Sequence, residues 1–216
     1  MRLTNQKLKY LLITTLIYMA ITLIPIHIEK TVYLIVIIFL ISCYLLKDEF
    51  KYYWTYLRNN GKKLWLIPVF TIADFLISQI TANLFPQESS NEVGLENILH
   101  HGNTLIIMAM ILLITVIGPL MEEIIFQYFI QGAVKKYLKK STLNQHWISI
   151  LAIIIATICF MLWHVDSLKD FTNLSFFTYI DLILYAIIYQ LTDDNLLYPL
   201  ATHIIWNTLG LLIILH

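Results

Sequence analysis

The sequence has few charged residues, and this shortage restricts the kind of protein it can be. Only 13% of its 216 residues are Asp, Glu, Lys or Arg, whereas 59% are hydrophobic. Soluble domains have about 25% charged and about 45–50% apolar residues. The chain therefore carries more apolar surface than a soluble fold can bury, which predicts a single integral-membrane domain over residues 1–216 with no separate soluble domain.

Cysteine, net charge and repeats are also scarce or absent. The two cysteines, Cys43 and Cys159, lie inside apolar runs, so the sequence predicts neither a disulfide framework nor a thiolate metal site. The formal net charge is zero, and we therefore expect no nucleic-acid partner. No internal repeat of the kind that many transporters carry is visible.

Long apolar segments fill most of the chain. A helix that crosses a bilayer needs about 20 apolar residues. Seven segments are candidates: 10–28, 31–46, 64–85, 104–131, 147–165, 176–191 and 197–215. The polar stretch 86–103 is typical of a loop. We predict an all-α, polytopic membrane bundle of about seven transmembrane helices, or eight with a short interfacial helix.

The distribution of positive charge predicts the orientation of the bundle. If the N-terminus is cytoplasmic, 12 of the 14 Lys and Arg residues fall in cytoplasmic segments and 2 in outer segments. Cytoplasmic loops carry an excess of Lys and Arg, so this asymmetry predicts a multi-pass cell-membrane protein with a cytoplasmic N-terminus. The basic run at 135–140 is interpreted as a solvated determinant of this topology.

Several ionisable or strongly polar side chains fall inside the predicted spans, where each costs free energy and is a candidate for function. They are Asp74, Glu122, Glu123, His164, Asp181, His203 and Asn207. No Lys or Arg lies within a predicted span to neutralise the carboxyls, so we expect a polar, hydrated interior. Asp74 and Asp181 have no partner at a recognisable spacing and are interpreted as structural or cavity-lining.

The spacing of these residues indicates that three helices contribute to one cavity. Glu122 and Glu123 are adjacent, and on a helix they point about 100° apart, so they cannot share one role. Three pairs are separated by four residues and share a helix face: Glu123 with Gln127, Phe160 with His164, and His203 with Asn207.

Three short motifs resemble those of a known family. They are GPLMEEIIFQ at 118–127, FMLWH at 160–164 and HIIWN at 203–207. The pattern EExxxR, FxxxH and Hxxx(N/B), in that order, is that of the CPBP family of CAAX-type prenyl proteases and bacteriocin-processing or Abi proteins. The resemblance covers about 119–212 and places a catalytic core at about 104–215. Gln127 stands where the family has arginine.

The resemblance implies an intramembrane protease with a glutamate-activated water. Its implied catalytic residues are Glu122, His164, His203 and Asn207, and its implied supporting residues are Glu123, Gln127 and Phe160. Glu122 would act as general base on a water polarised together with His164. His203 and Asn207 would donate hydrogen bonds to the tetrahedral oxyanion. Two His and a Glu could also hold zinc, but the sequence has no HExxH motif, and we expect no metal or other cofactor.

Depth along the helices conflicts with this assignment if the predicted spans are taken literally. At 1.5 Å per residue, Glu122 and Asn207 would lie roughly 15 Å from the cytoplasmic ends of their helices, whereas His164 would lie roughly 25 Å deep. We therefore expect the helix of His164 to begin as a cytoplasmic extension.

The substrate class and biological role stay open at this stage. The resemblance implies cleavage of a peptide or membrane-protein substrate. A composition rich in Ile, Lys, Asn and Tyr suggests a bacterium, where bacteriocin maturation, self-immunity or signal-peptide processing are expected roles. Because Gln127 replaces the arginine, a catalytically inactive immunity or scaffold protein that binds a peptide or membrane partner is the alternative. A proton-coupled transporter is a third reading of the buried acids.

Overall fold

The fold is an all-helical bundle. The computed structural model describes residues 3–23, 28–86, 90–165 and 167–214, and no strand occurs in these ranges. The helices are α1 (Asn5–Leu23), α2 (Ile28–Asn59), α3 (Leu66–Leu84), α4 (Ser90–His101), α5 (Thr104–Leu138), α6 (Gln145–Trp163), α7 (Lys169–Thr172), α8 (Ile183–Leu191) and α9 (Leu197–Ile214). Two 3₁₀ segments, Gly61–Trp65 and Ser175–Leu182, lead directly into α3 and α8.

Long apolar helices confirm a multi-pass membrane protein. Among the described residues, four helical segments are long and apolar enough to cross a bilayer, and Ser175–Leu191 and Leu197–Ile213 are shorter apolar segments. The four are Thr31–Asn59, Gly61–Leu84, Thr104–Leu138 and Gln145–Trp163. The total of seven crossings stays a prediction. Residues 24–27 near the end of the first predicted span and residue 215 at the end of the last lie outside the described residues.

Two predicted boundaries were wrong because charged residues continue an amphipathic helix. The second span was predicted to end at 46, but α2 runs to Asn59 because Leu46, Glu49 and Tyr53 form one buried face. The fourth was predicted to end at 131, but α5 runs to Leu138. The predicted loop at 86–103 was also wrong, since α4 occupies most of it.

An apolar stripe explains helix α4. Leu95, Ile98 and Leu99 are spaced to lie on one face, and Leu99 is buried. These residues pack in a small cluster with Met110 of α5 and Leu211 of α9. The polar residues between them occupy other positions on the helix, which is why the stretch reads as a loop in sequence.

An ionic layer joins several helices near one end of the bundle. We use this name for the ion pairs Lys7–Asp48, Lys63–Asp193 and Lys135–Asp194. All three lysines belong to segments predicted to be cytoplasmic. Lys135 is buried, so the interpretation of the whole run 135–140 as solvated was wrong at this residue. The ionic layer supports the predicted grouping of charge at one end.

Gly118 is required by the backbone geometry of α5. A Cβ built at Gly118 would lie 2.8 Å from the backbone oxygen of Leu113, closer than a Cβ can approach. We expect Gly118→Ala to lower the free energy of unfolding by about 1–3 kcal/mol, the usual cost of overpacking. Thermal unfolding in detergent micelles measures this.

The matched control is Gly210 in α9, where an added Cβ meets no atom within 4 Å. Gly210→Ala should leave stability unchanged or raise it by about 0.5–1 kcal/mol, because alanine is the better helix former. Equal destabilisation by the two alanines would contradict the steric account of Gly118.

Candidate active site

The side chain of His203 lies between the two adjacent glutamates of α5. His203 Nδ1 is 3.0 Å from Glu123 Oε1, and His203 Nε2 is 3.5 Å from Glu122 Oε2. Adjacent residues on a helix point in different directions. The two ring nitrogens of an imidazole also point in different directions, so each of them can face one glutamate. One imidazole from α9 therefore contacts both carboxyls, which is the central contact of the candidate site.

The two glutamates differ in exposure. The side chain of Glu123 is 0% exposed, whereas that of Glu122 is 14% exposed. Tyr18 of α1, itself buried, lies close to the Glu122 carboxyl. Glu123 is sealed within the bundle, and Glu122 is the carboxyl that a small molecule such as water can reach.

Aromatic rings connect the two histidines. His164 follows the last residue of α6, and its Nδ1 is 3.2 Å from the backbone oxygen of Phe160. The Phe160 ring centroid lies 5.4 Å from that of His164 and 6.0 Å from that of His203. Phe160 is fully buried and stacks on Phe126 of α5 at 4.2 Å. The FxxxH motif therefore packs α6 against α5, with the Phe160 ring in contact with both histidines.

Asn207 completes a backbone hydrogen bond that Pro119 leaves open. The α5 segment Leu113–Ile117 is a π-helix, in which the Gly118 N–H donates to the Leu113 oxygen. In the same spacing of five residues, the Ile114 oxygen would accept a hydrogen bond from residue 119, but Pro119 has no N–H. Asn207 Nδ2 donates to the Ile114 oxygen at 2.9 Å instead. The sequence did not predict this role, although the helix-interior Pro119 is a visible signal for it.

Gln127 is buried where the family has arginine. Its side chain contacts the Glu123 carboxyl, but neither Gln127 Oε1 nor Nε2 has a hydrogen bond of good geometry, and neither has Glu123 Oε2. Glu123 is instead anchored through its other oxygen by His203. The contact with Glu123 that an arginine at position 127 would make along α5 is thus replaced by a contact from His203 of α9.

The observed helix ends resolve the conflict over depth. Because α5 ends at Leu138, Glu122 lies roughly 24 Å from that end, not roughly 15 Å. His164 lies roughly 28 Å from the start of α6 at Gln145, so the two residues have similar depths. His203, only six residues into α9, contacts Glu122. Helix α5 therefore extends further toward this end than α9 does.

Tyr185 of α8 is a site residue that the sequence did not single out. Its ring stacks on that of His203 with centroids 4.5 Å apart and an interplanar angle of 16°, and its hydroxyl donates to Asp74 Oδ2 at 2.7 Å. Its spacing to other polar residues gives no signal, because the contact depends on how α3, α8 and α9 pack.

The candidate site has few side chains placed together as ligands for a metal ion. Within the described ranges, no group of three or more His, Cys, Asp or Glu residues is arranged to hold one. Both ring nitrogens of His203 face carboxyl oxygens of α5. The three-ligand arrangement of His164, His203 and Glu122 considered from the sequence is therefore not a preformed group in this geometry.

Comparison with known proteins agrees with the motifs. A family model described as type II CAAX prenyl endopeptidase Rce1-like matches residues 104–209. No curated protein and no solved structure matches the chain. The matched region contains Glu122, Glu123, His164, His203 and Asn207. Residues 104–209 of this chain are therefore similar to the type II CAAX prenyl endopeptidases of the Rce1-like family.

Proposed function

We propose that this protein is an intramembrane endopeptidase in which Glu122 activates the hydrolytic water. The observation that carries the proposal is the position of His203 between buried Glu123 and partly exposed Glu122. A catalytic group held by a third, buried partner is the usual arrangement of a hydrolytic site. The family match supports proteolysis as the type of reaction.

Glu122 is assigned as the general base. In the proposed reaction it takes a proton from water, the water oxygen bonds to the scissile carbonyl carbon, and the carbonyl electrons move to its oxygen. The same proton then passes to the leaving amine as the C–N bond breaks and the oxyanion electrons re-form the C=O bond. Such transfers contribute about 10²–10⁴-fold to a rate.

His203, Asn207 and His164 are assigned to the polar surroundings of the reacting carbonyl. Glu123 fixes the orientation of the His203 ring, which leaves Nε2 beside Glu122. Asn207 uses one N–H for Ile114, and its amide carries a second N–H that can serve the oxyanion. His164, joined to this group through Phe160, is assigned to polarise the water with Glu122. The proposed reaction needs no metal.

The proposed substrate is a peptide or membrane protein whose cleavage site can enter the bilayer. In a bacterium this includes a bacteriocin precursor or a signal peptide, with maturation or self-immunity as the result. The inactive immunity or scaffold role remains the competing proposal, and the same assay distinguishes the two.

The test is cleavage of membrane peptides by the purified protein in liposomes, with products identified by mass spectrometry. The wild-type protein should give defined products that Glu122→Ala does not give. Equal product from the two proteins contradicts the Glu122 mechanism. Binding without cleavage, equal in both proteins, favours the scaffold role.

Gln127 tests whether the missing arginine matters. Because Glu123 is held by His203 and makes only a poor contact with Gln127, Gln127→Leu should keep kcat within about 10-fold of the wild type. Glu123→Gln, which replaces the carboxyl beside His203 by an amide, should lower kcat more. The two rates under saturating peptide decide this, and a greater loss in Gln127→Leu would contradict the account.

A further inference from the structure

Two buried carboxyls outside the proposed mechanism lie next to each other. Asp74 of α3 is 0% exposed and Asp181 of the 3₁₀ segment Ser175–Leu182 is 8% exposed. Asp74 Oδ2 accepts a hydrogen bond from the Tyr185 hydroxyl at 2.7 Å, and Asp181 Oδ2 accepts one from Ser78 at 2.8 Å. The two residues are 107 positions apart in the chain, which is why spacing did not pair them.

The arrangement of these carboxyls requires a proton. They lie within hydrogen-bonding reach of each other, and neither Asp74 Oδ1 nor Asp181 Oδ1 has a hydrogen bond of good geometry to another group. The ion pairs of the described ranges include neither residue. Two carboxylates cannot hydrogen-bond without a proton, and two adjacent charges in a low dielectric repel strongly. One shared proton satisfies both conditions.

The pair Asp74 and Asp181 lies next to the surroundings of both histidines of the candidate site. Asp74 holds the hydroxyl of Tyr185, whose ring stacks on His203. Asp181 lies close enough to His164 for their charges to interact. The His164 ring also lies 4.6 Å from that of Tyr179, in the same 3₁₀ segment as Asp181. The carboxyl pair is therefore linked to both histidines.

We propose that Asp74 and Asp181 form a proton-sharing carboxyl pair that positions Tyr185 against His203 and supplies one negative charge beside His164. They are positioning residues, since neither contacts Glu122 or the reacting atoms. The proposal rests on the proposed protease function for its kinetic consequences, but the shared proton is a property of the folded protein and is tested separately.

The first experiment detects the proton without any substrate. Infrared spectra of the purified protein in liposomes should contain the C=O stretching band of a protonated carboxyl, sensitive to H/D exchange, that is absent from Asp74→Asn. In that variant an amide donates to Asp181 and no shared proton is needed. Asp170→Asn is the matched control, since Asp170 is equally buried but bonds to Ser167 and Ser175. Identical carboxyl bands in the wild type and Asp74→Asn overturn the proposal.

The second experiment separates positioning from folding. Asp74→Asn preserves both the acceptor for Tyr185 and the single charge, so its kcat should stay within about 3-fold of the wild type. Asp74→Leu removes the acceptor and should lower kcat about 10–100-fold with KM little changed, as expected for a displaced catalytic group. Tyr185→Phe should reproduce this loss, because it removes only the hydroxyl.

Unfolding temperatures of the variants identify any loss that comes from misfolding. If Asp74→Leu unfolds, Tyr185→Phe still tests the hydrogen bond between Tyr185 and Asp74. A wild-type kcat in Tyr185→Phe overturns the positioning role. If the proton band is present but no peptide is cleaved by any protein, the proposed function fails and the carboxyl pair stands. If Glu122-dependent cleavage occurs without the band, the carboxyl pair alone fails.

Discussion

Glu122→Gln is expected to lower kcat for peptide cleavage about 10²–10⁴-fold, with the protein still folded. Glutamine has nearly the shape of glutamate and keeps a polar group beside His203 Nε2, but it cannot take a proton from water. The loss therefore falls on kcat more than on KM, as for an interaction that acts in the transition state. Initial rates over a range of peptide concentrations in liposomes measure both constants.

Glu49 provides a matched control for this experiment. It is a glutamate with 2% exposure on α2, and its carboxyl accepts hydrogen bonds from the Leu3 N–H and the Tyr128 hydroxyl. Glu49→Gln keeps an acceptor in the same place and should retain kcat within about 3-fold. A similar loss in Glu49→Gln and Glu122→Gln would indicate a general effect of altering a buried carboxyl, not loss of the base.

The sequence predicted the helices and the proximity of Glu122 to His203 because both predictions depend on local pattern. Apolar length predicts a membrane helix, and the three motifs predicted that Glu122 and His203 serve one site. Which carboxyl lies closer to His203 is not a local property. It depends on the side-chain rotation at the junction between α5 and α9, and the structure shows Glu123 at 3.0 Å and Glu122 at 3.5 Å.

The sequence missed features that arise from tertiary packing. Asp74 and Asp181 have no meaningful spacing, and only the packing of α3 against the segment Ser175–Leu182 brings them together. Asn207 resembles an oxyanion donor in its motif, yet one of its N–H groups serves the Ile114 carbonyl that Pro119 leaves open. Lys135 reads as one of several solvated lysines until Asp194 is placed beside it.

The second large effect concerns stability and lies in the ionic layer. The Lys135 side chain is 7% exposed, pairs with Asp194 and lies 5.5 Å from the Tyr189 ring centroid. Removing one partner of a buried pair costs about 3–5 kcal/mol, because an uncompensated charge stays buried. Asp194 is 49% exposed, so water screens part of this cost. We expect Asp194→Asn to lower the free energy of unfolding by about 2–3 kcal/mol.

Backbone strain does not contribute to the stability change expected for Asp194→Asn. Asp194 has φ 60° and Asp193 has φ 56°, both in the left-handed region, which asparagine tolerates as well as aspartate. Asp193 is therefore the matched control. It pairs with Lys63 at 3.0 Å but is 70% exposed, so Asp193→Asn should cost less than about 1 kcal/mol. Unfolding of the two variants in detergent micelles at neutral pH compares the two sites.

The pH dependence of the control has a definite sign. The hydroxyl of Tyr56, and then Lys63, hold the pKa of Asp193 below its usual range. The contribution of Asp193 to stability is therefore present above the unfolded pKa of about 3.9 and is lost as the pH falls through the lower folded value. The wild type and Asp193→Asn should converge in stability under strong acid.

A double variant identifies the buried charge as the cause of the Asp194 effect. Lys135→Met replaces the lysine by an apolar chain of similar length, so it needs no counter-charge. If the penalty in Asp194→Asn comes from an unpaired Lys135, then adding Lys135→Met should recover about 1–2 kcal/mol of it, since paired charges replaced by apolar groups are often neutral. Additive losses in the double variant would show that Asp194 stabilises the loop between α8 and α9 without Lys135. Recovery would show that the Lys135–Asp194 pair of the ionic layer holds α5 against this loop. The loop leads into α9, the helix on which His203 contacts the two glutamates.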